Sequence, residues 1–353
     1  MTVKSPAPVV NLSRGGTTPD LHGRPLRDLR ISVMDRCNFR CPYCMPRETF
    51  HERYRFLRTG ERLDFDEIIR VARAAVALGV RKIRLTGGEP LLRAGLSELV
   101  AELSMIEGVK DLALTTNGVL LAQHAAELKG NGLGRVTVSL DSLDPEVFAR
   151  MSGGFGGLEQ VLAGIDAALE AGLGPVKVNA VVRRGLNEHT VPGLLERFRG
   201  TPVIVRLIEY MDVGNRNAWS PAEVVPSSEL LTAIRARWPV TALPGSYHGE
   251  VAERYRYDDG AGEIGFISSV SAPFCGDCTR ARLSSEGVFY TCLFATTGTD
   301  LRGPLRAGAT DEELGARLRA AWTGRDDRYS EQRDALRRRV EPLHKIEMHY
   351  IGG

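Results

Sequence analysis

The chain has 353 residues, 43% of them hydrophobic and 25% charged, which is long enough for one large α/β barrel or two ordinary domains. The formal net charge is only +2, so no global field favours nucleic acid or a membrane, and any anion site must be local. No apolar run approaches the length of a membrane span, and the first twenty residues have no signal-peptide core. We therefore expect a cytoplasmic protein without nucleic-acid or membrane partners.

Residues 1–25 are predicted to form a flexible tail, because their Pro, Gly, Ser and Thr content is typical of a segment without a core. From about residue 27 to 210, strand-like and helix-like segments alternate. Strands are expected at 29–33, 82–86, 112–116, 136–140, 176–182 and 203–210. Helices are expected at about 66–78, 96–106, 120–130, 158–171 and 190–199.

Six βα units in series predict parallel strands joined by right-handed crossovers. We interpret residues 26–212 as a partial (βα)6 TIM-like barrel of the α/β class, with an open doubly wound sheet as the alternative. In both folds, ligands bind at the C-terminal ends of the strands. The pattern changes after residue 212, and residues 213–353 are predicted to form a C-terminal α+β extension that completes the active site.

The six cysteines fall into two triads. Three and then two residues separate Cys37, Cys41 and Cys44 of the first triad. Clustered cysteines in a reducing compartment more often bind metal than form disulfides. Three thiolates bind three irons of a four-iron, four-sulfur cube and leave the fourth iron open to a substrate or cofactor. Zinc is the alternative, but a zinc site needs four ligands and even His51 is not an evident fourth. The spacing therefore favours an iron–sulfur cluster.

The segment Gly87-Gly88-Glu89-Pro90 follows the second predicted strand. An ordinary βα turn that requires glycine would explain it, with Glu89 as a solvated charge. The functional alternative is that the glycines let a ligand approach the backbone. Together with the spacing of the first triad and the aromatic Tyr43 before its last cysteine, this segment resembles the radical S-adenosylmethionine (SAM) superfamily. The resemblance implies that SAM binds the open iron and is cleaved to a 5′-deoxyadenosyl radical.

The second triad consists of Cys275, Cys278 and Cys292. Three ligands again leave one iron open, while a zinc knuckle or an electron-relay cluster with a distant fourth ligand are the alternatives. Arg280 and Arg282 follow directly, and two alternating arginines are commonly the exposed face of a strand. No thiol is left over, so the sequence predicts two separate sites.

The second triad, the two arginines and the terminal Gly352-Gly353 together resemble the GTP 3′,8-cyclase family of molybdenum cofactor biosynthesis. The resemblance runs from about Leu26 to the end of the chain. Ala281 departs from it, since we expect a leucine there, and this puts only local packing in doubt. The resemblance implies conversion of GTP to (8S)-3′,8-cyclo-7,8-dihydroguanosine 5′-triphosphate, the first step of molybdopterin biosynthesis.

The resemblance also implies roles for individual residues. Its cofactors are SAM and two [4Fe-4S] clusters, held by Cys37, Cys41 and Cys44 and by Cys275, Cys278 and Cys292. Implied SAM contacts are Tyr43, Gly88, Ser139 and Met211. Implied GTP contacts are Arg30, Arg84, Thr115, Lys177, Arg280 and Arg282. The open iron of the second cluster meets the guanine base, the Gly-Gly end reaches into the active site, and no general acid is assigned.

The charges agree with a nucleotide substrate. Arginine offers bidentate geometry to phosphates and lysine a point charge, and Lys82 shares a strand face with Arg84. For any one of these side chains, a surface charge is the alternative. The segment 153–157 is rich in glycine but lacks the lysine of a phosphate loop, so we expect a flexible connector.

Two other hypotheses stay open. One is a radical SAM enzyme that modifies a peptide, although such proteins generally carry more C-terminal cysteines. The other is a non-catalytic zinc-binding or electron-transfer protein. The expected partners are GTP as substrate, an electron donor and a downstream molybdopterin-pathway enzyme. A homodimer is a further hypothesis.

Overall fold

The computed structural model describes residues 17–338 and 343–352. Within them, twelve strands form one sheet in the order β12-β11-β10-β1-β2-β3-β4-β5-β6-β9-β8-β7. The strands are β1 Asp28–Ser32, β2 Lys82–Thr86, β3 Asp111–Thr116, β4 Arg135–Ser139, β5 Lys177–Val182, β6 Ile204–Glu209, β7 Val240–Leu243, β8 Glu253–Tyr257, β9 Glu263–Ile267, β10 Arg280–Leu283, β11 Val288–Tyr290 and β12 Thr299–Asp300.

The α-helices of these residues mostly follow the strands. They are α1 Phe65–Ala77, α2 Leu96–Ser104, α3 Leu121–Gly130, α4 Pro145–Ser152, α5 Leu158–Glu170, α6 Val191–Phe198, α7 Ser227–Arg237, α8 Arg302–Arg306, α9 Asp311–Thr323, α10 Tyr329–Arg337 and α11 Met348–Ile351. None of them is both long and apolar enough to cross a membrane.

Strands β1 to β6 are parallel and are neighbours in chain order. A doubly wound sheet would reverse its strand order at a switch point, and these six strands do not. The sheet ends at β12 and β7 without closing, and residues from all six strands line one cavity. The sheet therefore curves around that cavity, and the predicted partial barrel is confirmed.

Alternation along each strand separates the core from the cavity. In β1, Leu29 and Ile31 are fully buried members of the hydrophobic core, and the charged residues Asp28 and Arg30 line the cavity. The same period of two places Ile83 in the core and Arg84 in the cavity, because successive side chains point to opposite faces of a sheet. The charged residues of these strands therefore converge inside the barrel.

Two later strands extend the barrel sheet. Strand β10 pairs in parallel with β1, so Arg280 lies opposite Asp28 and Arg282 opposite Arg30. On the other edge, β9 pairs in parallel with β6. The sheet thus continues into the region predicted to be a separate extension. The domain boundary after residue 212 stays a prediction.

Helix α1 shows how local sequence sets the elements. Asp64 accepts a hydrogen bond from Glu67 N at 2.8 Å, and Glu67 accepts one from Asp64 N at 2.8 Å, which is a complete capping box. The helix predicted at 66–78 is confirmed within one residue. Helix α4 was not predicted, although Asp144 caps it, Pro145 begins it and Gly153 follows it with φ +74°, a typical pattern of helix ends.

The segment 18–25, predicted to belong to the flexible tail, is instead joined to the fold. Arg24 is 2% exposed and pairs with Asp20 at 2.6 Å. Its Nη1 donates to the carbonyl oxygens of Cys275 and Asp327, each at 2.8 Å. Buried ion pairs of Asp20 with Arg24 and Arg325, together with these hydrogen bonds, therefore fix the segment despite its composition. Residues 1–16 lie outside the described residues.

Candidate active site

A single cavity of about 320 Å³ runs through the barrel, within the size range of small-molecule sites. Every residue predicted for a cluster, SAM or GTP lines it: Arg30, Cys37, Cys41, Tyr43, Cys44, Arg84, Gly88, Thr115, Ser139, Lys177, Met211, Cys275, Cys278, Arg280, Arg282 and Cys292. The structure thus brings the whole predicted set together. The roles of the individual residues stay predictions.

The two triads lie at opposite ends of the strands. Cys37 follows the C-terminal end of β1, whereas Cys278 precedes the first residue of β10, which runs parallel to β1. Strand β11 is antiparallel to β10, so Cys292, just after β11, returns to the level of Cys278. The arrangement leaves a space between two possible iron–sulfur sites.

Arg40 holds the loop of the first triad in place. Its Nη1 donates to the carbonyl of Cys37 at 2.7 Å, and its Nε donates to that of Phe50 at 2.8 Å. A Cβ on Gly153 would lie 2.1 Å from the Arg40 carbonyl oxygen. The glycine-rich segment predicted to be a connector therefore packs directly against this loop, and glycine is required by the close approach.

The segment 87–90 is joined to the same loop. Gly88 N donates to Met34 O at 2.6 Å, and a Cβ on Gly88 would lie 2.2 Å from Arg36 O. Glu89 is fully buried and accepts from the backbone N–H groups of Leu91 and Asn117 and from the Thr116 hydroxyl. Burial raises the pKa of Glu89 to about 7. The Glu89 carboxylate is thus a buried link between the segment 87–90 and the residues at the end of β3, which excludes the solvated charge of a plain turn.

Tyr43 connects the first triad to the fourth strand. Its hydroxyl donates to Asp141 Oδ2 at 2.8 Å, and Asp141 Oδ1 accepts from Val181 N at 2.8 Å. Burial raises the pKa of Asp141 to about 6. Because Ser139 and Met211 line the cavity beside these residues, the proposed SAM contacts lie around the open end of the barrel at the carboxyl ends of its strands.

Two arginines support the second triad. Arg325 Nη1 donates to Cys278 O at 2.7 Å, and Arg280 Nη2 lies 3.2 Å from Cys278 Sγ. Burial acts to raise the pKa of Cys278, but Arg280 and Arg325 outweigh it and lower the pKa to about 7. Burial raises the pKa of Cys292 to about 12. The positive side chains therefore favour a thiolate at Cys278, the form that binds iron.

Both triads fit an iron–sulfur cube. All six thiols are free. Cys37 Sγ accepts a hydrogen bond from Phe39 N at 3.3 Å, and Cys292 Sγ accepts one from Phe294 N at 3.4 Å, as the sulfurs of cluster ligands do. Within the described residues, no three Cys, His, Asp or Glu side chains converge on one metal ion. A cube does not require that convergence, because each of its ligands binds a different iron.

A row of arginines crosses three strands between the triads. Arg282, Arg30 and Arg84 are paired across β10, β1 and β2 in one register. Elsewhere in the cavity Lys82 pairs with Asp28 at 3.3 Å and Arg135 with Asp111 at 2.5 Å. Among the described residues, no carboxylate lies within 4.0 Å of the side-chain nitrogens of the arginine row or of Lys177. The arginine row and Lys177 are therefore cavity cations without a carboxylate partner among the described residues.

The pKa values of these side chains are lowered first by burial and then by repulsion from neighbouring cations. Burial, followed by neighbouring arginines, lowers the pKa of Arg84 to about 9 and that of Lys177 to about 7. Burial and Arg280 lower the pKa of Arg282 to about 10. Crowded, desolvated cations of this kind mark functional sites. An anion with several charges would relieve the repulsion.

Sequence reasoning missed Arg206 and Arg135, which also line the cavity. Arg206 Nε donates to Asn179 Oδ1 at 2.9 Å, and burial lowers the Arg206 pKa to about 9. The available signal was the position of Arg206, which is the one cation in the apolar run Ile204–Ile208. A charge at an inward position of a buried strand requires a partner or a ligand.

Two family models match this chain in succession. The model described as "Radical SAM superfamily" matches residues 31–198, and the one described as "Molybdenum Cofactor Synthesis C" matches residues 203–331. A GTP 3′,8-cyclase of Xanthomonas axonopodis pv. citri is 54% identical over 334 residues, which cover 95% of this chain and 98% of that protein. The chain belongs to the GTP 3′,8-cyclase family.

A more distant bacterial member supports the same assignment. A GTP 3′,8-cyclase of Staphylococcus aureus is 48% identical over 335 residues, covering 95% of this chain and 98% of that protein. Among solved structures, Streptococcus suis SuiB bound to S-adenosylmethionine matches with a TM-score of 0.60 and 14% identity, over 93% of this chain and 77% of that one. At this identity the likeness shows the fold alone, the radical SAM partial barrel with its C-terminal extension.

The family resemblance implies that the Gly-Gly end of the chain reaches into the active site, and the structure describes the first of these two glycines. Arg282 Nη1 donates to the carbonyl oxygens of Ile351, at 3.4 Å, and Gly352. Gly352 has φ +72°, and a Cβ there would lie 2.1 Å from Thr86 Cγ2. Only glycine fits both the conformation and the space. Gly353 lies outside the described residues.

The buried carboxylate of Asp212 anchors this C-terminal segment. It accepts hydrogen bonds from Tyr329 Oη at 2.5 Å, Arg333 Nε at 2.9 Å and Lys345 Nζ at 3.1 Å. Lys345 N also donates to Asn215 Oδ1 at 2.9 Å. Because Asp212 directly follows Met211, the loop after β6 that lines the cavity also holds the C-terminal segment.

We expect Asp212→Asn to release residues 343–352. Removing the charge leaves the Arg333 and Lys345 cations buried without compensation, which lowers the free energy of unfolding by about 3 kcal/mol. Limited proteolysis should cut the variant in this segment, while Asp311→Asn, which alters an exposed ion pair with Arg70, should change cleavage little. Equal protease resistance in both variants would show that Asp212 does not anchor the segment.

Proposed function

We propose that this chain converts GTP into (8S)-3′,8-cyclo-7,8-dihydroguanosine 5′-triphosphate, the first committed chemistry of molybdenum cofactor biosynthesis. The observation that supports this most is the row of cations Arg282, Arg30 and Arg84, which lies between two cysteine triads in one cavity. A triphosphate neutralises such a row, and the triads provide an iron–sulfur site at each end. Membership of the GTP 3′,8-cyclase family agrees with this function.

The residues of the cavity divide between the two ligands. Tyr43, Gly88, Ser139 and Met211 would hold SAM at the carboxyl ends of the strands, next to Cys37, Cys41 and Cys44. The nucleotide would contact Arg30, Arg84, Thr115, Lys177, Arg280 and Arg282. When bound, SAM and its cluster supply a carbon-centred radical that removes a hydrogen atom from the substrate.

The chain's own residues position and shield this chemistry. Arg84 Nη1 is preoriented by Thr115 at 2.8 Å and Thr137 at 3.1 Å, so its remaining N–H groups are fixed for phosphate oxygens. The C-terminal segment covers the cavity at Thr86 and Arg282, which limits water access to a reactive intermediate. The ribose is thereby held at a fixed place between the two triads.

A second [4Fe-4S] cluster at Cys275, Cys278 and Cys292 is part of the proposal. Arg280 Nη1 is buried and has no hydrogen-bond partner in the described structure, as expected for a donor whose acceptor is a bound ligand. The open iron of that cluster would orient the guanine base. An external electron donor, a downstream molybdopterin-pathway enzyme that takes the product, a homodimer and a cytoplasmic location complete the proposal.

Nucleotide selectivity tests the substrate. Titration calorimetry of the reconstituted protein under anaerobic conditions should show that GTP binds at least about tenfold more tightly than ATP. The physical reason is that GTP and ATP have the same triphosphate, whereas only guanine suits the proposed cluster at the second triad. Equal affinity for the two nucleotides would contradict the guanine assignment, and binding of neither would contradict the nucleotide site.

Lys177 makes GTP binding dependent on pH. In the free protein burial and then Arg206, Arg135 and Arg84 lower the Lys177 pKa to about 7, against the opposing effect of Glu250. At pH 8 the amine is therefore about 90% neutral. A bound triphosphate favours the ammonium form, so binding raises this pKa and takes up a proton. Affinity should fall as the pH rises above about 7.

Calorimetry in two buffers of different ionisation enthalpy measures this uptake. At pH 8 we expect close to one proton per GTP in the wild type and close to none in Lys177→Met. The terminal phosphate, with a pKa of about 6 in phosphate esters, is already ionised at this pH and does not contribute. A wild type that binds GTP without proton uptake would place the Lys177 amine away from the phosphates.

A further inference from the structure

The loop 244–252, which connects β7 and β8, bridges the amino-terminal end of the barrel. Tyr247, Gly249 and Val251 of this loop line the cavity. A Cβ on Gly249 would lie 2.9 Å from both the Asp277 carbonyl oxygen and the Thr279 side chain, directly before β10. The loop therefore spans from the start of β10 to the start of β2 and lines the amino-terminal end of the cavity.

Tyr247 makes the contact of this loop with β2. Its ring lies 4.9 Å from Lys82 Nζ, and its hydroxyl oxygen accepts a hydrogen bond from that ammonium at 3.0 Å. The side chain is 48% exposed, so this cation contact, more than apolar packing, fixes its position. Tyr247 is thus a large, half-exposed aromatic residue that lines a basic cavity, which suggests a role in binding a ligand.

The hydroxyl of Tyr247 is suited to contact an anion. The bond from Lys82 occupies a lone pair of the oxygen and leaves the phenolic hydrogen to be donated. Arg84, Arg135 and Arg206 line the same cavity as Tyr247. Lys82 is paired with Asp28 at 3.3 Å and Arg135 with Asp111 at 2.5 Å, but among the described residues no carboxylate lies within 4.0 Å of the side-chain nitrogens of Arg84 or Arg206. A phosphate oxygen bound near these two arginines is a suitable acceptor for the Tyr247 hydroxyl.

The position of the loop relates it to one end of the phosphate chain. The ribose must face the carboxyl ends of the strands, where the first triad lies, so the phosphates extend toward the amino ends. Lys82 precedes Arg84 by two residues, which places it roughly 7 Å farther in that direction. Lys82 and Tyr247 therefore lie where the last phosphate ends.

We propose that Tyr247 recognises the terminal phosphate of the nucleotide and makes the site select a triphosphate over a diphosphate. This inference rests on the proposed function, because it concerns the same cavity and substrate. The hydroxyl donates to a terminal phosphate oxygen, and the ring keeps Lys82 directed at the same group. A diphosphate fills the sites at Arg30 and Arg84 but does not reach Tyr247.

The test compares GTP and GDP binding to wild-type protein and Tyr247→Phe, both with reconstituted clusters. The substitution removes one oxygen atom from a partly exposed side chain, and the visible absorbance of the clusters checks that the fold is kept. We expect GTP affinity to fall roughly tenfold, as for a hydrogen bond to a charged group, and GDP affinity to stay unchanged. Tyr255→Phe, in the neighbouring strand β8, is the matched control and should change neither.

The outcomes separate this inference from the proposed function. If the wild type binds GTP and forms product, but Tyr247→Phe weakens GTP and GDP equally or weakens neither, the inference is wrong and the proposed function stands. If the wild type does not bind GTP, the proposed function fails first. A GTP-to-GDP affinity ratio that falls about tenfold only in Tyr247→Phe supports a hydrogen bond to the terminal phosphate.

Discussion

Cys292→Ala should abolish cyclisation while SAM cleavage continues, whereas Cys44→Ala should abolish both. The two triads occupy opposite ends of the strands, so losing a ligand from one leaves the other intact. In the proposed function, the first triad supports radical generation and the second positions the guanine. Loss of a direct metal ligand should reduce product by more than the roughly 100-fold that loss of an outer-shell partner costs.

Three measurements on the same preparations check this expectation. Iron should fall from about eight to about four atoms per chain in each variant, because each cube holds four irons. 5′-Deoxyadenosine should be detected with Cys292→Ala and be absent with Cys44→Ala, and cyclised nucleotide should be absent with both. Wild-type levels of product from Cys292→Ala would rule out a catalytic need for the second cluster, and each variant serves as the control for the other.

Arg84→Met should weaken GTP binding by about 100-fold and, in the free protein, leave stability unchanged or increased. Arg84 is 7% exposed and lies between Arg30 and Arg135. Its charge-assisted hydrogen bonds to phosphate are worth about 3 kcal/mol, which corresponds to about 100-fold in affinity. Without a ligand the same charge is repelled by its neighbours, so removing it relieves strain.

Opposite signs for binding and stability distinguish a ligand-binding cation from a structural one. Thermal unfolding without nucleotide and calorimetry with GTP provide the two readouts. Arg317→Met, at an exposed position of α9, is the control and should change both by little. A strongly destabilised Arg84→Met protein would instead identify Arg84 as a structural residue of the barrel.

Local patterns made much of this fold predictable. The alternation of β1 and β2 placed apolar residues on one face and Arg30 and Arg84 on the other, and the capping box of Asp64 and Glu67 located α1. In parallel strands with one polar face, period-two patterning fixes which side chains meet. The ends of the predicted strands and helices therefore lie within two residues of the observed ends.

Long-range pairing could not be predicted. Arg282 lies opposite Arg30 although 252 positions separate them in the chain, and no local pattern encodes that register. Arg206 was missed because a single cation in an apolar strand has no periodicity of its own. The segment 18–25 was assigned to a tail because its buried anchor, Arg24, contacts residues more than 250 positions away.

Anaerobic turnover with GTP, SAM and a reductant tests whether one cavity couples SAM cleavage to cyclisation of GTP. The reconstituted protein should form 5′-deoxyadenosine and 3′,8-cyclised GTP in about equal amounts, since each radical removes one hydrogen atom. Steady formation of 5′-deoxyadenosine with no cyclised nucleotide, under conditions where GTP is shown to bind, would contradict it.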